Sequence, residues 1–164
     1  MKDNFKQERV NLAAAFRWAA RLNMHEAVAN HFSLAVSDDG SKFLLNPIGM
    51  HFSQICASDL LVIDSKNAET MSQPNAPDAT AWAIHGAMHR NNLHARCILH
   101  VHPKYATILA CLEDKVMKPI DQNTMRFYEK VSIDYDYDGM GVGDEAERLC
   151  TILGDNSVLL MGNH

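Results

Sequence analysis

The sequence lacks most of the features that would mark a specialised class. Positive charge is in deficit: fifteen Lys and Arg stand against twenty Asp and Glu, a formal net charge of −5. The chain therefore offers no broad surface for duplex nucleic acid or anionic membrane. No apolar run approaches the roughly 20 residues of a membrane span. The polar start Met1-Lys2-Asp3-Asn4 is unlike a signal peptide, and the chain reads as cytoplasmic. Cysteine is sparse. Cys56, Cys97, Cys111 and Cys150 form no CxxC pair, which removes a zinc ribbon and a thioredoxin-type redox site. They lie mostly in apolar stretches and are expected as buried, reduced thiols. There is no internal repeat, no low-complexity tract and no Pro/Gly/Ser-rich linker to divide domains. What is present is 164 residues, 47% of them hydrophobic, enough for one domain with a real core, and nine histidines.

In order, Phe5 to Leu22 carries apolar residues close to helical period and predicts an amphipathic helix ending near Asn23. Phe32–Val36, the turn Ser37-Asp38-Asp39-Gly40 and Phe43–Leu45 read as a β-hairpin, closed by the turn Asn46-Pro47-Ile48-Gly49. Leu60–Ile63 reads as a short strand. Asp78 is placed to cap a helix over Ala79–Asn91, and Cys97–Val101 reads as a strand that runs into a helix from Lys104 to Leu112. A strand within Val131–Tyr137, a helix from its cap Asp144 to Leu153 closed by Gly154, and a strand Val158–Met161 complete the chain. Strands alternating with helices, with at least one hairpin, predict an α/β domain with a mixed sheet.

The most informative stretch is Leu99-His100-Val101-His102-Pro103. Side chains alternate across a strand, so the two imidazoles project together while Leu99 and Val101 face the other way. Pro103 then suits a helix start. His164 follows an apolar strand in the same manner, so two strand ends can bring three imidazoles together as metal ligands. His85 and His89 form an i, i+4 pair on the middle helix. They lack the glutamate of a zinc-protease motif, and hydrogen bonding within the helix packing is the expected role.

Five ordered blocks carry a resemblance: Ala29-Asn30-His31-Phe32-Ser33, Leu45 to Ser53 with its Asn-Pro-Ile-Gly turn, Ile84-His85 to His89-Arg90, His100-Val101-His102 and Gly162-Asn163-His164. Their order resembles the class II aldolase and adducin domain family, most of all its adducin-like branch. The resemblance implies a three-layer α/β/α sandwich around a mixed, largely antiparallel sheet. It makes residues 1–164 a single such domain, expected to lack the C-terminal part. It implies a divalent metal, most often zinc, on His100, His102 and His164, and a substrate pocket lined by Asn30, Ser33, Asn46 and Gly49.

For the chemistry, the resemblance implies a lyase acting on a small hydroxy-carbonyl or sugar-phosphate substrate through a metal-stabilised enediolate. A related epimerase, decarboxylase or dehydratase and a non-catalytic adducin-like module are the alternatives. The family's acid/base glutamate, four residues before the helix histidine, is replaced here by Ala81. His31 and Tyr128 are the substitutes considered for proton transfer, and installing a carboxylate by Ala81→Glu is expected to raise cleavage. Partners are expected to be a small molecule and further copies of the chain, a homo-oligomer with a tetramer favoured, and neither nucleic acid nor membrane.

Overall fold

In the computed structural model, which describes residues 4–164 apart from Asp138 and Met140, the N-terminal periodicity becomes helix α1, Lys6–Arg21. Leu12, Phe16 and Ala19 form its buried stripe, as residues three and four apart share a helix face. Asn23, at φ 52°, turns the chain out of the helix in the left-handed region that Asn tolerates.

The strands β1 (His31–Ala35), β2 (Lys42–Leu45), β3 (Leu61–Asp64) and β4 (Cys97–His100) form an antiparallel sheet in the order β3-β2-β1-β4. Alternation divides their side chains between two layers. Phe32 and Leu44 turn toward α1 and pack with Leu12, Phe16, Ala19 and Phe52. Phe16 stacks on Phe32 at 4.7 Å between centroids and meets Phe52 edge-on at 4.6 Å, geometries that add to the roughly 1.5–3 kcal/mol of burying each ring. Phe43, Leu45 and Ile63 turn the other way, onto Ala81 of helix α2, Ala79–Asn91. Asp78 starts α2 as expected, accepting from the backbone N–H groups of Thr80 and Ala81 at 2.8 and 3.2 Å. Helix, sheet and helix thus make the three layers.

The outer end of α2 packs through Ile84, Ala87 and Met88 on helix α4, Asp144–Leu153. Helix α3 is Lys104–Ala110. The strands β5 (Val131–Asp134) and β6 (Val158–Met161) pair in parallel and stand apart from the antiparallel sheet, so the expected mixture of directions is divided between two sheets. Gly40, in the hairpin turn at φ 68°, lies so close to α2 that a Cβ would sit 1.9 Å from the His89 carbonyl oxygen. Glycine is required there for both reasons.

The strand expected within Val131–Tyr137 is present as Val131–Asp134, and it stops there because the Asp134 carboxylate accepts from the Asp136 N–H at 3.0 Å and bends the chain. The same carboxylate takes both Arg148 nitrogens at 2.8 Å. Other expectations are corrected. Gly143, not Asp144, is the cap of α4. Of the four thiols only Cys150 is buried, where burial pushes its thiol up to about 11. Cys97 sits on the edge strand β4, Cys111 ends α3, Cys56 lies in a loop, and all three are exposed. No helix among the described residues is long and apolar enough to cross a membrane.

Candidate metal centre

The end of β4 delivers two imidazoles to one side. Val101 packs onto the α1 core, and the His102 N–H donates to the Met24 carbonyl at 2.9 Å, which keeps the chain extended past His100. The third imidazole arrives from β6. The Gly162 N–H donates to the Asp134 carbonyl at 2.8 Å. A Cβ on Gly162 would lie 2.6 Å from that oxygen and 2.6 Å from Cε of the buried Lys115, so only glycine passes. Asn163 takes φ 59° and donates its N–H to the Ala110 carbonyl at 2.9 Å. His164 is thereby turned toward β4.

The Nε2 atoms of the three rings converge: His100 to His164 is 2.9 Å, His100 to His102 3.1 Å and His102 to His164 3.4 Å. His102 donates from Nδ1 to the Glu26 carboxylate at 2.8 Å, which leaves the other nitrogen, Nε2, to face the trio, the carboxylate-histidine arrangement that supports metal ligands. Burial holds His100 well below its ordinary value, and burial followed by the neighbouring His102 lowers His164. Neutral rings are the ligating form. When all three Nε2 atoms are bare their lone pairs repel, whereas a cation between them is attracted to all three. Tetrahedral bonds of about 2.0–2.1 Å would separate the nitrogens by about 3.3 Å, close to the spacings present. The donor set therefore fits zinc or a similar divalent ion.

Behind this trio runs a second line of imidazoles. His100 Nδ1 lies 3.0 Å from His31 Nε2, and His31 Nδ1 lies 2.7 Å from His85 Nε2. His85 Nδ1 meets the Ser33 hydroxyl, which is 2.8 Å from His89 Nε2, and His89 Nδ1 donates to the Ala95 carbonyl at 2.8 Å. Burial lowers His31 to about 4 despite the opposing Asp78 charge, lowers His89 to about 4, and holds His85 well below its ordinary value. The i, i+4 pair does serve packing, but across to β1 and, through His31, to the metal trio.

Beside His31 opens a cavity of about 230 Å³ lined by Asn30, His31, Asn46, Gly49 and Asp78 together with Val28, Ala29 and Ile48. Asn30 Oδ1 accepts from the Glu26 N–H at 2.6 Å, while its Nδ2 is buried with no partner among the described residues. That leaves an amide donor for a ligand oxygen. Asn46 shapes the wall, its Oδ1 accepting from the Phe32 N–H at 3.1 Å and its Nδ2 donating to the Pro47 carbonyl at 3.2 Å. Gly49, at φ 76°, supplies the turn.

Three sequence expectations sit differently. Ser33 belongs to the histidine line and is fully buried, away from the cavity wall. His31 reaches the site, but both its nitrogens are engaged, which favours a positioning role over proton transfer to a substrate. Tyr128 follows the short 3-10 turn Thr124–Phe127 and is half exposed; no hydrogen bond or ring contact joins it to a histidine among the described residues. Ala81 is fully buried among Phe43, Leu45 and Ile63. Sequence reasoning missed Glu26 as the partner of His102 and Asp78 as a cavity residue. The first carries no local signal, and the second was concealed by its role as a helix cap.

The fold recurs in known proteins. The model of the class II aldolase and adducin N-terminal domain matches residues 10–164. An aldolase II superfamily protein from Pseudomonas syringae is 30% identical with a TM-score of 0.83, over 95% of this chain and 63% of that one. An L-fuculose 1-phosphate aldolase from Glaciozyma antarctica shares the fold at 22% identity and a TM-score of 0.79, over 95% of this chain and 60% of that one. A Pseudomonas aeruginosa protein, provisionally described as an aldolase class 2 protein, is 29% identical over 96% of this chain and 60% of its own length. The chain thus spans about 60% of the length of these relatives. With the family model matched across all but the first nine residues and the three-histidine geometry in place, the chain belongs to the class II aldolase and adducin N-terminal domain family.

Proposed function

We propose that this chain is a metal-dependent lyase of aldolase type, acting on a small hydroxy-carbonyl or sugar-phosphate compound bound between the three histidines and the adjoining cavity. The observation that carries the reading is the convergence of three Nε2 atoms within 3.4 Å of one another. His100, His102 and His164 would hold the ion. Because all three donors are neutral, a bound divalent cation would keep nearly its whole charge for polarising a chelated carbonyl oxygen.

The chain's own residues supply orientation. The unpaired Asn30 amide is placed to donate to a substrate oxygen, and the Asp78 carboxylate on the same wall to accept from a hydroxyl. Burial of the histidine line excludes water behind the ligands. A homo-oligomer, with a tetramer favoured, belongs to the same proposal, as does a cytoplasmic setting. It draws support from apolar side chains left open on one stretch, among them Tyr105, Ile108, Leu112 and Ile120.

Ala81 favours a second reading, a binding module that keeps the metal without turnover, since the position of the family's acid/base glutamate carries no titratable group. One experiment addresses both. Zinc content is measured for the wild type and the His100→Ala/His102→Ala variant, followed by aldehyde release from hydroxy-ketone phosphates. About one ion per wild-type chain, lost in the variant, with metal-dependent cleavage is the expected result. Equal metal content in both refutes the site, and metal without cleavage selects the binding module.

A further inference from the structure

Ala95, β1 and α2 are joined to the metal trio by one unbroken hydrogen-bonded line, and its polarity follows from the chemistry of its far end. A backbone carbonyl only accepts, so His89 must carry its proton on Nδ1 to bond Ala95 at 2.8 Å. A neutral ring has one N–H, hence His89 Nε2 accepts, and the proton on that contact is the Ser33 hydroxyl's. With its single hydrogen committed, Ser33 accepts from His85 Nδ1. His85 Nε2 is then bare and accepts from His31 Nδ1. His31 Nε2 is bare in turn and accepts from His100 Nδ1. Every choice is forced once the first is made, provided the rings are neutral, and their burial ensures that.

We propose that the buried line His89-Ser33-His85-His31 is a positioning device that locks His100 as its Nδ1–H tautomer and aims its bare Nε2 at the nitrogens of His102 and His164. The inference rests on the metal reading above and extends it to residues that touch no ion. Each of the four rings is held in the tautomer that is the minor one for free histidine in water, so the line does energetic work that an isolated strand-end histidine would leave undone. His102 is set by a different device, the Glu26 carboxylate on its Nδ1. Two ligands are therefore fixed by two independent supports, one anionic and exposed, one neutral and buried. A buried carboxylate in the same position behind His100 would cancel part of the ion's charge; an imidazole orients the ring without doing so.

The tautomers are readable in the metal-free wild-type protein by nitrogen-15 NMR of the imidazole rings. His31, His85, His89 and His100 are expected to show protonated Nδ1 and unprotonated Nε2. Any one of them carrying its proton on Nε2 breaks the line and overturns the proposal, whatever the protein does with metal. The second measurement is cobalt(II) affinity, read by its visible absorption. His85→Phe keeps a ring of similar size but interrupts the line, and about a 10- to 100-fold weaker affinity is expected, the usual cost of losing an outer-shell partner. His85→Gln, which can accept from His31 and donate to Ser33, is expected to stay within about threefold of the wild type. Ser33→Ala serves as the interrupting variant if His85→Phe does not fold. Unchanged affinity in the interrupted variant overturns the positioning role. A wild type that shows the expected tautomers but binds no cobalt or zinc refutes the metal reading instead, and with it the purpose assigned to the line.

Discussion

Acid should unfold this protein through its buried histidines, and His89 allows the effect to be sized. Its ordinary value of 6.5 falls to about 4 in the folded chain, chiefly by burial. The unfolded state therefore binds a proton that the folded state refuses, and stability falls with acidity between those two values. Two and a half pH units at about 1.4 kcal/mol per unit give about 3 kcal/mol from this one ring, fully present above pH 7 and lost as pH drops toward 4. His31, His85 and His100 shift in the same direction. Their contributions do not simply add, because the first proton to enter breaks the line they share. Against a typical total of about 5–15 kcal/mol, the loss is large. The assay is urea unfolding of chelator-treated protein at pH 7.5, 6.5, 5.5 and 4.5, with His89→Gln alongside. The wild type should lose stability steadily below pH 6.5, and the variant should show a slope smaller by up to one proton. A flat profile down to pH 4.5, or equal slopes in both proteins, would refute the reasoning.

The remaining predictions concern the scaffold. Gly40→Ala forces a Cβ against the His89 carbonyl at a left-handed φ and should cost about 2 kcal/mol or more in urea midpoint; a neutral result would mean that the hairpin turn does not dock on α2. Asp134→Asn removes the charge of a buried carboxylate held by two Arg148 nitrogens and should lower thermal stability by about 3 kcal/mol, loosening the Gly162-Asn163-His164 arm as well. Saturating zinc should raise the melting temperature, with about 2.7 kcal/mol expected at a hundred times the dissociation constant, and should leave the His100→Ala/His102→Ala protein unmoved. Ala81→Glu should destabilise the fold by several kcal/mol, measured by urea unfolding, since the new carboxylate enters an apolar cluster.

The elements were largely legible because they follow from local pattern. The helix over Ala79–Asn91, its cap Asp78 and the strand Val158–Met161 agree with their expected bounds, each being marked by periodicity and a terminal signal. The pairing of His100 with His102 was legible for the same reason, since alternation in a strand is geometry and not context. What could not be read was anything created by long-range packing. Glu26 reaches His102 across 76 positions and Ser33 meets His89 across 56, and no local rule encodes either contact. Exposure of Cys97 depends on β4 being an edge strand, which is a property of sheet order. The division of the strands into two sheets is likewise a matter of which strands pair across the chain.

The absence of a carboxylate at position 81 and the presence of imidazoles at 31 and 85 belong to one packing solution. Ala81 lies one helical turn before His85 and faces the same sheet, where Phe43, Leu45 and Ile63 offer no partner for a charge. An ionised carboxylate there would be unpaired and expensive, or would be protonated by burial. An imidazole one turn on costs far less to bury, because it can be neutral and still satisfy both of its nitrogens. The carboxylates that do approach the site enter from its open side: Glu26 against His102, and Asp78 on the cavity wall. Burial pushes the Asp78 carboxyl up, but the Thr80 hydroxyl and the backbone N–H groups of Ala81 and Thr80 together outweigh it and leave it below its ordinary value. Negative charge thus borders the cavity while the ligands' far side is neutral. Under the proposed function, such a field would suit the hydroxyl-bearing end of a substrate at the cavity wall.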